Sequence, residues 1–228
     1  MMFQALTVRP AEVIQWRRVA VEPLSAVVLS TLKTWINRPL EDAFWDRESA
    51  VLVKVAQQAI ERHCQMAIAP TTWLGTLSEL QDAMRIMQRP FVSVDKIEYV
   101  DPVAGAVTTV PASVYQFGPM SQSMGWLQVG DGQDWPTAAV RQDAYRLTVK
   151  TGFYGLDPTK AELPDDILHA LMMTVAALDS NRGDEGGGGG GGLSNTVWGQ
   201  THASGPSVIP SGAKALLAPY RLQHLCIA

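Results

Sequence analysis

The spacing of apolar and polar positions changes along the chain. From Glu41 the apolar residues recur at every third or fourth position, with acidic residues in the first turn. This pattern predicts a helix of about six turns that ends before Pro70, because the residue ahead of a proline avoids the helical region. Pro10 to Trp16 predicts a short helix that begins at a proline.

The period then shortens to alternation. Between Phe91 and Val149 short apolar runs are separated by turn residues such as Gly118-Pro119 and Gly130-Asp131-Gly132. Sequential short strands with tight turns predict an antiparallel meander, since parallel neighbours need longer connections. After this region, Leu163-Pro164-Asp165-Asp166 indicates the start of a second helix.

These elements together predict an α+β fold: a helical portion with a long amphipathic helix, a small antiparallel β-meander and an extended C-terminal arm. We expect four segments. They are an N-terminal helical extension (1–40), a core with the long helix, the meander and the second helix (41–183), a Gly-rich loop or insertion (184–208) and a C-terminal docking arm (209–228). On length alone, 228 residues are compatible with one or two domains.

Composition narrows the function. The charged fraction of 18% is below the usual quarter, which suggests that additional surface is hidden in contacts with other molecules. A net charge of −4 argues against a protein that grips nucleic acid without sequence preference. Cys64 and Cys226 make no disulfide framework and favour a reducing compartment, with a single bridge between them as the alternative. Neither a signal peptide nor a membrane span is predicted, so we expect synthesis in the cytoplasm.

The C-terminal arm is the strongest candidate for an interaction site. Seven consecutive glycines, Gly186 to Gly192, predict a flexible linker, and beyond them only Lys214 and Arg221 carry charge. An apolar, weakly basic tail behind such a linker favours docking on another surface, although it could also cap the core of its own subunit. The candidate portal or subunit interface residues are Leu216, Leu217, Pro219, Tyr220 and Arg221.

No set of residues predicts a catalytic, cofactor-binding or metal site, and we expect no enzymatic activity. The glycine run lacks the Lys-Ser/Thr of a phosphate-binding loop. His63, Cys64 and His169 lack the spacing of zinc ligands, and Asp131 with Asp134 forms an incomplete calcium loop. Trp73, Trp126 and Trp135 are expected in the core, whereas burial within the subunit and burial at subunit contacts are both open for Trp16, Trp35, Trp45 and Trp198.

Taken in order, these motifs resemble the head-to-tail connector family of long-tailed double-stranded DNA phages, which includes adaptor or head-completion proteins. The resemblance covers roughly residues 41 to 182 and the last twenty. It lies in the following stretches: Ala59-Ile60-Glu61-Arg62, Thr72-Trp73, Arg89-Pro90-Phe91-Val92-Ser93-Val94, Ile97-Glu98-Tyr99-Val100-Asp101, Tyr115, Trp135-Pro136, Val149-Lys150-Thr151-Gly152-Phe153-Tyr154-Gly155, Leu163-Pro164 and Ala215-Leu216-Leu217-Ala218-Pro219-Tyr220-Arg221.

The resemblance implies a structural adaptor in the virion neck. Such a protein forms a homo-oligomeric, twelvefold ring beneath the portal protein, binds a downstream neck or tail protein and lets double-stranded DNA pass through its lumen without specific binding. The chain departs from the family pattern at Val19 to Leu40 and at the glycine run with Ser194 to Ser207. A neck stopper or tail-completion protein is the alternative, and a small host hydrolase or binding domain is a third interpretation.

Overall fold

The computed structural model describes residues 15–21, 32–35, 43–120, 124–153, 163–180 and 208–221. The chain divides into two compact units. The strand unit combines Met1–Pro23 with Met66–Ala161, and the helical unit combines Leu24–Gln65 with Glu162–Ala228. The prediction of an α+β protein with antiparallel strands is confirmed.

In its described part, the strand unit contains two antiparallel sheets. One has the order β1-β2-β8-β4-β5 and the other the order β3-β7-β6. The strands are β1 (Gln15–Val21), β2 (Thr71–Leu77), β3 (Ala83–Ile86), β4 (Phe91–Val100), β5 (Val107–Thr109), β6 (Tyr115–Pro119), β7 (Gly125–Val129) and β8 (Tyr145–Thr151). A 3₁₀ turn at Ala112–Val114 precedes β6.

An apolar cluster among the described residues of the strand unit draws residues from both sheets. It includes Leu77, Met84, Ile86, Val94, Ile97, Tyr115, Leu127, Leu147 and Val149. The polar tips of partly buried aromatic residues find acceptors, as burial requires. The Trp135 indole donates to the Gln81 carbonyl at 3.0 Å, and the Tyr145 hydroxyl donates to the Pro136 carbonyl at 2.6 Å. These two bonds attach the loop ahead of β8 to the cluster.

Strand β4 does not keep the simple alternation that its sequence suggests. Its buried residues Val94, Ile97 and Val100 are three apart. The register with β8 shifts between Phe91 and Ser93 and again between Val94 and Lys96. Each irregularity inserts an extra residue and changes which face of the sheet the following side chains occupy. The β-bulges therefore keep three well-spaced apolar residues in the core.

The strand order departs from the predicted meander. β8 lies between β2 and β4, so two central pairings join segments that are distant in sequence. The long loop between β7 and β8 permits this return, whereas a meander would pair neighbours only. The helical interpretation of residues 1–40 is also wrong for Gln15–Val21, which pair with β2 as a strand. An open sheet edge overrides the weak local helix signal there.

In its described part, the helical unit includes the helices α1 (Ala43–Cys64), α2 (Asp165–Ser180) and α3 (Ser211–Leu217). Residues 32–35 are also helical, and a 3₁₀ turn at Ala218–Tyr220 follows α3. α1 ends at Gln65, whose φ of 54° is the left-handed conformation that commonly terminates helices. α2 begins after Pro164 with Asp165 and Asp166 in its first turn, as predicted from the sequence.

The buried face of α1 carries Val53, Ala56, Ile60 and Cys64, at helical spacing. The same helix buries a polar pair, in which the Gln57 side-chain amide donates to the Glu61 carboxylate at 2.9 Å. α2 contacts both α1 and α3, and its buried residues include Ile167, Leu171 and Val175. The core of the helical unit therefore forms around α2.

Candidate interaction surface

The C-terminal segment, residues 208–221, lies against α2. Ile209, Ala213 and Leu217 recur at every fourth position and are all buried. The approach is close at Gly212, because a Cβ there would come within 2.8 Å of the Met173 methyl carbon. In the described part of the chain, this segment is thus a packed component of the helical unit.

The five candidate interface residues differ in their exposure to solvent. Leu217 is 0% exposed and belongs to the core of the helical unit. Leu216 and Tyr220 are half-buried, while Pro219 and Arg221 are exposed. The structure thus places the five residues on one short segment but presents them on different sides. Their role in contacts with a portal or a neighbouring subunit stays a prediction, and the side chain of Leu217 is the least accessible of the five.

The charges around this segment converge on the end of α1. Burial lowers the pKa of His63, and the positive charges of Arg221 and Lys214 lower it further. The Nε2 atom of His63 is buried without a hydrogen-bond partner. Burial also raises the pKa of Tyr220, to which Asp166 and Cys64 contribute. His63 is thus favoured in its neutral form beside two cationic side chains.

A second candidate surface consists of the two outer strands of the five-stranded sheet. β1 pairs with β2 and β5 pairs with β4, and no strand in the described part of the chain pairs with their outer edges. Along β1 the side chains are exposed except for the partly buried Trp16. The Arg18 guanidinium lies 4.9 Å from the Trp73 ring centroid, a cation–π contact that orients the arginine along the sheet. All three residues of β5 are exposed.

The loops beside β5 are held by short hydrogen bonds. The Asp101 carboxylate accepts from the backbone N–H groups of Val103 and Ala104, at 2.8 and 2.7 Å, and these bonds lower its pKa. The Ala139 N–H donates to the Val100 carbonyl at 2.8 Å, which attaches the loop ahead of β8 to the end of β4. On these anchored loops Val103 and Val140 are almost completely exposed. Exposed apolar side chains mark a contact surface where they form a contiguous patch.

A cleft of about 530 Å³ opens at the same end of the sheet. Its lining includes the polar residues Gln15, Thr76, Glu79, Gln142 and Asp143. Asp143 pairs with Arg141 and with Arg146, and the hydrogen bond from Arg141 is the main cause of its lowered pKa. Two arginines therefore compensate the charge of Asp143 in the cleft, which Ser78 and Glu79 also line.

The residues considered above as zinc or calcium ligands do not come together in the structure. Among the residues that the structure describes, no group of three side chains could hold a metal ion. His63 lies at the end of α1, whereas His169 is exposed on α2. The ring centroids of His169 and Trp35 are 5.3 Å apart. Asp131 and Asp134 are exposed on a turn. The glycine run and Cys226 lie outside the described residues. Within the described ranges, no helix has the length and apolar character needed to cross a membrane.

Sequence reasoning missed the two sheet edges. Strand β1 was hidden because Arg17 and Arg18 interrupt its apolar residues, although Val19-Ala20-Val21 is a weak strand signal. The exposed valines near β5 looked like ordinary strand and turn residues. Only the pairing pattern shows that β1 and β5 end the same sheet.

The chain was compared with protein-family models, with curated proteins and with solved structures. No protein-family model matches the chain, and no curated protein is significantly similar to it. Among solved structures, a chain in the neck of an empty GTA particle computed with C6 symmetry has a TM-score of 0.61 at 17% identity and covers 94% of this chain and 98% of its own length.

Two further structures give similar values. A chain in the virion of a native gene transfer agent (GTA) particle has a TM-score of 0.62 at 18% identity, covering 93% of this chain and 98% of its own. A chain in the neck of a native GTA particle computed with C12 symmetry has a TM-score of 0.56 at 19% identity, covering 92% and 99%. At these identities the likeness shows a shared fold.

Proposed function

We propose that this chain is a structural subunit of the neck of a phage-like particle: an adaptor that forms a homo-oligomeric ring beneath the portal, links the capsid to the tail and extends the DNA channel. The observation that supports this proposal most strongly is the fold shared with chains of GTA necks and virions. The similarity extends over nearly the full length of this chain and of each compared chain. A match of that extent means that the shared fold covers the chain as a whole rather than one part of it.

The chemistry of the described residues supports a non-enzymatic role. In the cleft, Asp143 is paired with Arg141 and Arg146, and the orphaned His63 Nε2 lies beside cations rather than beside a nucleophile. Catalysis by general acid and base needs two groups within reach of one substrate position. The exposed features are instead apolar side chains on ordered backbone, which suit permanent contacts between proteins.

The C-terminal segment is our proposal for the portal contact. Its outer side offers Pro219 and Arg221, with Leu216 and Tyr220 half-buried next to them. Because Ala213 and Leu217 are core residues, deleting the whole segment would unfold the helical unit as well as remove a contact. Pro219→Asp with Arg221→Glu is the sharper change, because it alters the exposed side alone. We expect weaker co-sedimentation with the portal protein and unchanged thermal unfolding.

Imaging tests the function itself. A particle reconstructed with tagged copies of this chain should show the tag in a ring directly below the portal. A tag at the tail side of the neck would instead support the stopper or tail-completion alternative. Complete particles that lack the chain would contradict a role in the neck altogether. An adaptor and a stopper both lie in the neck, so the position of the tag relative to the portal distinguishes the two roles.

A further inference from the structure

We propose that neighbouring copies join head to tail through opposite edges of the five-stranded sheet, with the outer edge of β1 in one copy against β5 and its flanking loops in the next. The proposal rests on the ring function above and names the contact that would build the ring. Both surfaces belong to the strand unit of the same chain.

The two edges are complementary in apolar character. β1 exposes Val19 and Val21, and the β5 side exposes Val103, Val107 and Val140. Val103 is 95% exposed, although its loop is held by the Asp101 turn. Apolar side chains on preformed backbone lose little conformational entropy when they become buried. The unpaired outer edges can also add main-chain hydrogen bonds between copies, as in β-strand addition.

Charge favours the same pairing. β1 contains Arg17 and Arg18 and no acidic residue, whereas the turn at the β5 side carries the half-buried Asp101 carboxylate. The nearby Arg141 is paired with Asp143, so it adds little net positive charge to the β5 side. A β1 edge facing another β1 edge would bring arginines together, which is unfavourable for a two-fold contact.

The strand order allows the same contact to repeat from one copy to the next, because β1 and β5 lie at opposite edges of the sheet. Four antiparallel pairings separate β1 from β5, so these strands run in the same direction. At about 4.8 Å per pairing the two edges lie roughly 19 Å apart, and one copy can engage two neighbours at once. Contacts between two different surfaces continue from copy to copy and close into a ring when the rotation fits.

Two complementary variants test the contact. The first blocks the β1 edge with Arg17→Glu, Val19→Asp and Val21→Asp. The second blocks the β5 side with Val103→Asp and Val140→Asp. All five residues are exposed, so both variants should fold, which circular dichroism would verify. Met87→Asp, at an exposed position of the strand unit outside both patches, is the matched control.

Sedimentation velocity over a range of concentrations gives the answer. The wild-type chain and the control should form higher oligomers, and each blocked variant alone should self-associate at least about tenfold more weakly. An equimolar mixture of the two variants should form dimers and stop there, because it retains one intact contact. Self-dimers of a single variant would show a two-fold contact and overturn the proposal.

Two other results would also overturn it: blocked variants that assemble like wild type, and a wild-type chain that stays monomeric at its highest soluble concentration. Neither result would refute the location of the chain in the neck, which depends on where the tagged chain lies in the particle. Conversely, a chain absent from the particle would refute the function even if the head-to-tail contact formed in solution. The two proposals therefore fail separately.

Discussion

Gly152 is a residue whose identity follows directly from its surroundings. Its φ is +106°, and a Cβ there would lie 2.2 Å from the Ala69 carbonyl oxygen. Its own N–H donates to the Pro90 carbonyl at 3.0 Å, and the next residue, Phe153, donates to the Ile68 carbonyl at 3.0 Å. The end of β8 is thus fixed against the segment ahead of β2, which only glycine permits.

We therefore expect Gly152→Ala to destabilise the strand unit by more than about 3 kcal/mol, from backbone strain together with the clash. Gly105→Ala is the control, because Gly105 also has positive φ but no atom lies within 4 Å of its added Cβ. The control should lose only about 1 kcal/mol. Urea unfolding followed by tryptophan fluorescence measures both changes, and equal losses would refute the steric argument.

His63 predicts a pH dependence. Its pKa is lowered in the folded chain by burial and by Arg221 and Lys214, so the unfolded chain binds more protons at mildly acidic pH. Stability is unaffected well above the ordinary histidine pKa of about 6.5 and falls as the pH drops through that value towards the lower folded pKa.

His63→Gln should flatten the decline of the urea midpoint between about pH 7 and 5.5, where few carboxylates titrate. The exposed His169 on α2 provides the control, because His169→Gln leaves the contribution of His63 in place. A slope that survives in His63→Gln would mean that the acid sensitivity arises elsewhere.

Among the elements, α3 shows how packing limits an interpretation based on sequence. The tail was predicted to dock on a partner because its charges are few, yet Ile209, Ala213 and Leu217 lie on one face against α2. Composition indicates that a segment needs apolar contacts, but it does not say whether they come from its own chain or another. The spacing of four residues was the available signal for an internal helix contact.

Substitutions at two neighbouring leucines of α3 test how much its packing against α2 stabilises the helical unit. Leu217→Ala should destabilise the helical unit by about 2 to 4 kcal/mol, because it opens a cavity in a fully buried position. Leu216→Ala, at a half-buried position, should cost less than about 1 kcal/mol. Thermal unfolding compares the two. Similar small losses would mean that α3 contributes little to the stability of the helical unit.

Elements with local sequence signals could be predicted, whereas strand pairings between residues far apart in the sequence could not. The helical spacing after Glu41 and the Pro164-Asp165-Asp166 start are local signals, and helices occur at both places. The insertion of β8 between β2 and β4 joins Thr71 to Thr151 and Phe91 to the same residue. Such pairings depend on complementary faces far apart in sequence, and β-bulges in β4 shift the alternation further. The order of strands therefore could not be read from local patterns.

At the scale of the whole molecule, the distribution of charge bears on the channel role that we propose. The net charge is −4, and the arginines of β1 lie on the edge that we assign to subunit contact. Assembly would thus cover exposed cations of the strand unit. Because the chain has a net charge of −4, the proposed ring would repel the DNA backbone, which would favour passage over retention.

This leads to a prediction for DNA binding. Duplex DNA should bind the isolated chain more weakly than about 10⁻⁴ M at physiological salt, the weak end of ordinary non-specific binding. Fluorescence anisotropy with a labelled duplex measures it. Arg17→Glu should leave the result unchanged, because two arginines on one strand cannot match the many phosphate contacts of a DNA-binding surface. Micromolar binding that weakens steeply with salt would show a basic surface that the described residues lack, and would replace passive passage with a gripping role.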